Sequence, residues 1–240
     1  MDAITTGSGQ VVHKLIGGRC NVFLITNGEV SALVDTSTAM NYGRLRGALA
    51  RLGHMRVDWL ICTHIHFDHV QNAARIAADY GARIVINSDA LSLARAGKNE
   101  ATGGPGPVKH VTAALARKVL SLALIPPFEP SVRADNNFDL AKIGLRGNII
   151  FTPGHSPHSI SLILDNEIAV VGDALYGVFA ASAFPPFFLD KRQMLESGKI
   201  LINTGCRLFL PSHGRAIHRD LLIAAFNKKQ KLDSRAGTRR

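Results

Sequence analysis

Near the start of the chain the apolar positions fall in short runs, Val11–Ile16, Asn21–Thr26 and Val30–Asp35, separated by Gly17-Gly18 and Asn27-Gly28. Glycine pairs and Asn-Gly suit tight reversals, so the pattern predicts a strand meander. Tyr42 to Leu52 reads as a helix stopped by Gly53, and Val57–Thr63 as a buried strand. The next helix is expected from about Asp68 to Tyr80, with Gly81 as its C-cap. Arg83–Asn87 reads as a strand, with Ser88 placed to cap a short helix after it. Further on, Ile149–Thr152, Ser159–Leu164, Ile168–Gly172 and Leu208–Pro211 read as strands. Helices are expected from Leu189 to Asn203 and from Arg219 to about Lys228.

Between these clusters the rhythm breaks. Residues 96–108 are rich in Gly and Pro, and Val111 to Leu124 reads as an apolar helix ended by Pro126-Pro127. The block 96–130 is therefore expected to be a helical insertion. Strands in two clusters, each followed by helices, favour an α/β fold in which two sheets pack face to face with helices outside. Residues 1–227 are read as one domain and 228–240 as a basic, flexible tail.

Composition narrows the class. With 240 residues, 46% hydrophobic and 19% charged, the chain can bury a large core and is neither disordered nor fibrous. No apolar stretch approaches the roughly 18 residues of a membrane span; the run Gly177 to Leu189 is interrupted by Pro185 and Pro186. The start, MDAITTGSGQ, lacks the basic and apolar regions of a secretory leader. Cys20, Cys62 and Cys206 are too few and too scattered for a disulfide framework, and Cys62 reads as a buried thiol. A cytoplasmic protein is expected. The net charge is +10, and Lys228 to Arg240 carry six Lys/Arg against one Asp. That tail has no aromatic side chain for base stacking, so a solvated terminus is favoured over a nucleic-acid contact.

The chemistry concentrates at strand ends. The segment T-H-I-H-F-D-H, just after Val57–Thr63, places His64, His66, Asp68 and His69 within six residues. Imidazole and carboxylate suit a borderline cation such as zinc. His155 lies in T-P-G-H, Asp173 in V-V-G-D and His213 in L-P-S-H-G, each just past an apolar strand and beside a glycine. Four strand ends could thus converge on one edge, where open sheets commonly bind ligands. His13, His54, His110 and His218 show no such context, and His158 in H-S-P-H-S is read as exposed rather than as a donor beneath the site.

Taken together, H-x-H-x-D-H, T-P-G-H-S, G-D and S-H-G resemble the metallo-β-lactamase superfamily in order and approximate spacing, over nearly the whole chain. The resemblance implies a four-layer αββα sandwich and two divalent metal ions, zinc first, with iron or manganese as alternatives. It implies that His64, His66 and His155 hold one ion, that Asp68, His69 and His213 hold the other, and that Asp173 bridges them. Asp35 resembles the family's aspartate under the site, against the plainer reading of a turn-forming Asp. Two such ions can share a water and lower its pKa to about 7 for attack on a carbonyl, with Asp68 relaying a proton. Tyr176 in G-D-A-L-Y resembles the tyrosine of lactone-cleaving members, which contacts the substrate carbonyl; the alternative is a packed tyrosine.

The expected function is hydrolysis of a small lactone, thioester or ester by a binuclear metallo-hydrolase, with a homodimer left open. The chain ends 27 residues past His213, too soon for the C-terminal helical domain of glyoxalase II-type thioesterases. Two alternatives share the scaffold: a mono-iron oxidoreductase like the persulfide dioxygenases, and a nuclease. His66 stands where flavodiiron proteins place glutamate, which argues against a di-iron oxygen reductase.

Overall fold

The structure, a computed structural model, describes residues 3–18, 20–100, 123–180 and 182–237. One sheet runs, in spatial order, β1 (Ala3–Thr5), β2 (Val11–Ile16), β3 (Val22–Thr26), β4 (Ser31–Val34), β5 (Trp59–Ile61), β6 (Arg83–Asn87) and β7 (Val132–Ala134). It is antiparallel from β1 to β4 and parallel from β4 to β7. The other runs β13 (Ile217–His218), β12 (Leu208–Pro211), β11 (Ile168–Gly172), β10 (Ile160–Leu164), β9 (Asn148–Phe151) and β8 (Phe138–Asp139), with only β11 and β12 parallel.

Alternation along each strand divides the core. Phe23, Ile25, Ala32, Val34, Trp59 and Ile61 meet Leu162, Val170 and Leu210 between the sheets. Their neighbours Leu24, Leu33, Leu60 and Ile84 face outward onto the helices Tyr42–Arg51 and Ala73–Tyr80. On the far side, Ala169, Val171 and Phe209 pack under Lys191–Asn203 and Arg219–Gly237 through Met194, Leu201 and Leu222. The result is the expected αββα order of layers. Because β4 and β5 are apolar on both faces, polarity alone does not fix their register. Polar clamps do: Ser31 N–H and Oγ both donate to Asp58 Oδ2, at 2.8 and 2.9 Å, where the two strands begin.

The differences from the sequence reading have local causes. The helix expected from Asp68 to Tyr80 is two, Phe67–Val70 and Ala73–Tyr80. At the break the Asn72 side-chain amide donates to the carbonyls of Thr36, Ser37 and Thr38. It thereby ties the start of the second helix to the loop after β4. Asn87, not Ser88, caps the short helical turn that follows β6, accepting from Asp89 N–H. The last helix runs Arg219–Gly237, so the segment expected to be a flexible tail is helical as far as Gly237. Most of the helix expected over Val111 to Leu124 lies outside the described residues, as does His110. Among the described residues no helix is long and apolar enough to cross a membrane.

Candidate metal centre

The ligand-type residues sit on turns at one edge of the sandwich, where the C-terminal ends of β5 and β11 come together. Their approach depends on Gly172, the last residue of β11: a Cβ there would stand 2.7 Å from Thr63 Cβ. Gly154 plays the same part for the loop carrying His155, since a Cβ at its φ of +132° would meet Met194 N at 2.3 Å. Any residue larger than glycine at either place would push a ligand loop off the edge.

Two groups of donors result. His64 Nε2 lies 2.9 Å, and His155 Nε2 3.1 Å, from His66 Nδ1. Three neutral imidazoles cannot satisfy three converging nitrogens with one another's protons, so at least one lone pair is left facing the others. Beside them Asp173 lies 3.6 Å from His69 Nε2, 3.3 Å from His213 Nε2 and 3.5 Å from His155 Nε2. Asp68 lies 3.9 Å from His69 Nε2 and 3.5 Å from His213 Nε2. His69 Nε2 and Asp173 Oδ1 are buried with no hydrogen-bond partner. Buried polar atoms without partners are rare unless an ion or water satisfies them. The residues therefore fit metal ions: His64, His66 and His155 form one donor set, Asp68, His69 and His213 another.

The remaining ring nitrogens are fixed by hydrogen bonds. His69 Nδ1 donates to Asp35 Oδ2 at 2.8 Å. His155 Nδ1 donates to the Phe187 carbonyl at 2.8 Å. His64 Nδ1 lies 3.1 Å from Thr63 Oγ1, whose hydroxyl donates to Asp35. Such outer contacts select the tautomer whose other nitrogen faces the centre. Burial, and then the neighbouring imidazoles, push His64 well below the ordinary histidine value and His66 down to about 4. Both are neutral at pH 7, the form that binds metal. Burial opposes ionisation of Asp173, yet His69 and His213 hold its carboxyl well below the usual range.

Asp35 lies beneath both groups, fully buried at φ 60°. It accepts from Thr63 N–H and Oγ1, His69 Nδ1 and Ser212 Oγ, gathering three strand-end turns on one carboxylate. Thr63 and Ser212 went unremarked in the sequence, although each stands immediately before a candidate ligand. Cys20 Sγ lies 3.7 Å from His69 Nδ1. Burial pushes its thiol up to about 12, and that nitrogen is already committed to Asp35, so Cys20 packs as a protonated thiol. Cys62 is buried as expected.

Tyr176 is half-buried, its ring 5.0 Å from that of His213. Burial, then Asp173 and Asp68, raise its pKa, so the phenol keeps its proton and can donate. It lines a cleft of about 220 Å³ with Asp68, Asp173, Asn99, Pro186 and Phe187. A cavity of similar size beside Lys14 and Arg215 contains none of the candidate ligands and is not the reaction site. His158 departs from its reading as exposed: it pairs with the buried carboxylate of Glu100, which raises its pKa. Nothing in the sequence around Glu100 or Asn99 marked either residue.

The sequence profile of the metallo-beta-lactamase superfamily matches residues 15–213. A protein of Methanocaldococcus jannaschii named as a probable metallo-hydrolase is 31% identical over 164 residues, covering 68% of this chain and 71% of its own. A hydroxyacylglutathione hydrolase of Acidiphilium cryptum is 28% identical over 163 residues, covering 68% of this chain but only 51% of its own. Among solved structures, a metallo-beta-lactamase family protein of Thermus thermophilus aligns with a TM-score of 0.67 at 22% identity, over 98% of this chain and 78% of that one. The last is a likeness of fold.

Proposed function

The chain belongs to the metallo-beta-lactamase superfamily, and from that footing we propose that it is a binuclear metallo-hydrolase acting on a small lactone, thioester or ester. One observation carries the reading: two sets of donor atoms stand side by side, and the Asp173 carboxylate reaches both. His64, His66 and His155 would hold one divalent cation, and Asp68, His69 and His213 the other, with Asp173 between them. Zinc suits this nitrogen and oxygen set best. When bound, the cations would supply a water acidified to near neutral pH and an electrophilic contact for the substrate carbonyl.

The chain's own groups supply the rest. Asp68 is partly exposed at the cleft and can take the proton released on attack and return it to the leaving group. The Tyr176 hydroxyl can donate to the oxygen on which negative charge develops. Pro185, Pro186 and Phe187 wall the cleft and limit water entry. The Phe179 ring packs beside that of Tyr176, Val178 stands two residues after Tyr176 and Leu189 two residues after Phe187. All three are exposed apolar side chains, which favours a substrate with an aliphatic or aromatic group next to its carbonyl.

The test is metal analysis of the purified protein together with a panel of lactones, thioesters, phosphodiesters and β-lactams. Two zinc ions per chain with turnover confined to carbonyl substrates is the expected result. One iron per chain with oxygen uptake, or turnover of phosphodiesters alone, would replace the reading. Tyr176→Phe should lower kcat on the best substrate about 10-fold or more while both metals stay bound. An unchanged rate would make Tyr176 a packing residue.

A further inference from the structure

Of the five histidines of the centre, the four that are buried, His64, His66, His69 and His155, direct one ring nitrogen inward and need a protein partner for the other. Three have one: Thr63 for His64, Asp35 for His69 and the Phe187 carbonyl for His155. His66 is the exception. Its Nδ1 faces the centre, and its Nε2 is buried without a partner. Among the described residues a second buried orphan is of the opposite kind, an acceptor: Oε2 of Glu100. The two groups lie close enough to interact electrostatically.

Glu100 is also held firmly. Its backbone N–H donates to the Ile65 carbonyl at 3.0 Å, and Asn99 Oδ1 accepts from Phe67 N–H at 2.9 Å, so this short segment pairs with the ligand turn on both sides of His66. The other carboxylate oxygen, Oε1, accepts from His158 Nδ1. A carboxylate buried at this depth is costly unless its lone pairs are used, and Oε2 is the part left over.

The structure assigns Glu100 as the positioning residue of His66, the acceptor toward which His66 turns its Nε2–H so that Nδ1 is free for the metal. The inference rests on the metallo-hydrolase reading only in taking His66 as a ligand. In that arrangement the charge on Glu100 raises the basicity of the imidazole and holds one tautomer. An amide in its place would break the match. Glu100→Gln would keep its oxygen toward His158 and turn an NH2 group toward the His66 N–H, donor against donor.

The experiment measures zinc affinity by competition with a chromophoric chelator, alongside the melting temperature of the metal-free protein. Glu100→Gln should weaken zinc binding about 10–100-fold. His158→Gln, which removes the ion pair but leaves the carboxylate, should weaken it by less than about 3-fold. Wild-type affinity in Glu100→Gln, or equal weakening in both variants, would overturn the assignment. A second readout uses the wild-type protein and does not depend on any variant folding. In the zinc-loaded form, nitrogen-edited NMR should show His66 protonated at Nε2 with a solvent-protected proton, and protonation at Nδ1 instead would overturn the assignment equally. Failure of the wild-type chain to bind zinc at all would count against the proposed function, whereas zinc binding that ignores Glu100 would count against this inference alone.

Discussion

His66→Ala is expected to lose metal and activity together. The substitution leaves His64 and His155 as the only ligands the first ion does not share with the second, and catalytic zinc sites usually rest on three protein ligands of their own. Metal content should fall by at least one ion per chain. The rate should fall with it, since the contact to developing charge that a metal provides is worth several kcal/mol, about 10³-fold in kcat/KM. The fold should survive, because the ring removed packs at the edge of the sandwich and its inward nitrogen meets only His64 and His155. Metal content and hydrolysis at wild-type levels would sink the ligand assignment.

Asp35→Asn should act on the fold as well as the metal. Asparagine tolerates the left-handed backbone at this position, so the substitution isolates the charge. The amide offers one acceptor where the carboxylate now serves Thr63, His69 and Ser212. Breaking such a buried network by altering one member costs about 3–5 kcal/mol. For a chain of this size that is a fall of roughly 10 °C in the melting temperature of the metal-free protein, with weaker zinc binding in addition. His66→Ala, which breaks no comparable network, should lower that temperature by clearly less, and the contrast separates a group that holds metal from one that holds the turns. A metal-free Asp35→Asn protein melting within about 2 °C of wild type would reduce Asp35 to a turn former.

What could be read beforehand followed from how much each pattern repeats. Leu24 against Phe23 and Ile25, or Leu60 against Trp59 and Ile61, are runs apolar on both faces, and they announced buried strands. β8 and β13 have two residues each and exist only through pairing with β9 and β12, so no local pattern marks them. The break at Asn72 was hidden because Val70, Ala73 and Ile76 keep the helical period across it. Seven chemical residues were legible because four crowd into six positions and three stand beside glycines, all of them at strand ends. Glu100 was not, since a lone glutamate beside a Gly- and Pro-rich stretch has nothing to distinguish it until folding brings it to His66 and His158.

His64, His66, Asp68 and His69 follow a strand of the first sheet, whereas His155, Asp173 and His213 follow strands of the second. The centre is therefore a gauge of how the halves of the molecule are aligned. The layer between them, with Ile61, Leu162 and Val170 at its middle, acts as the mounting on which that alignment is kept. A vacancy cut there, as by Leu162→Ala, costs about 2–5 kcal/mol and lets one sheet settle against the other. Damage far from any reacting atom should then surface as a shortage of bound zinc, and an excess of zinc in the medium should restore much of the lost turnover.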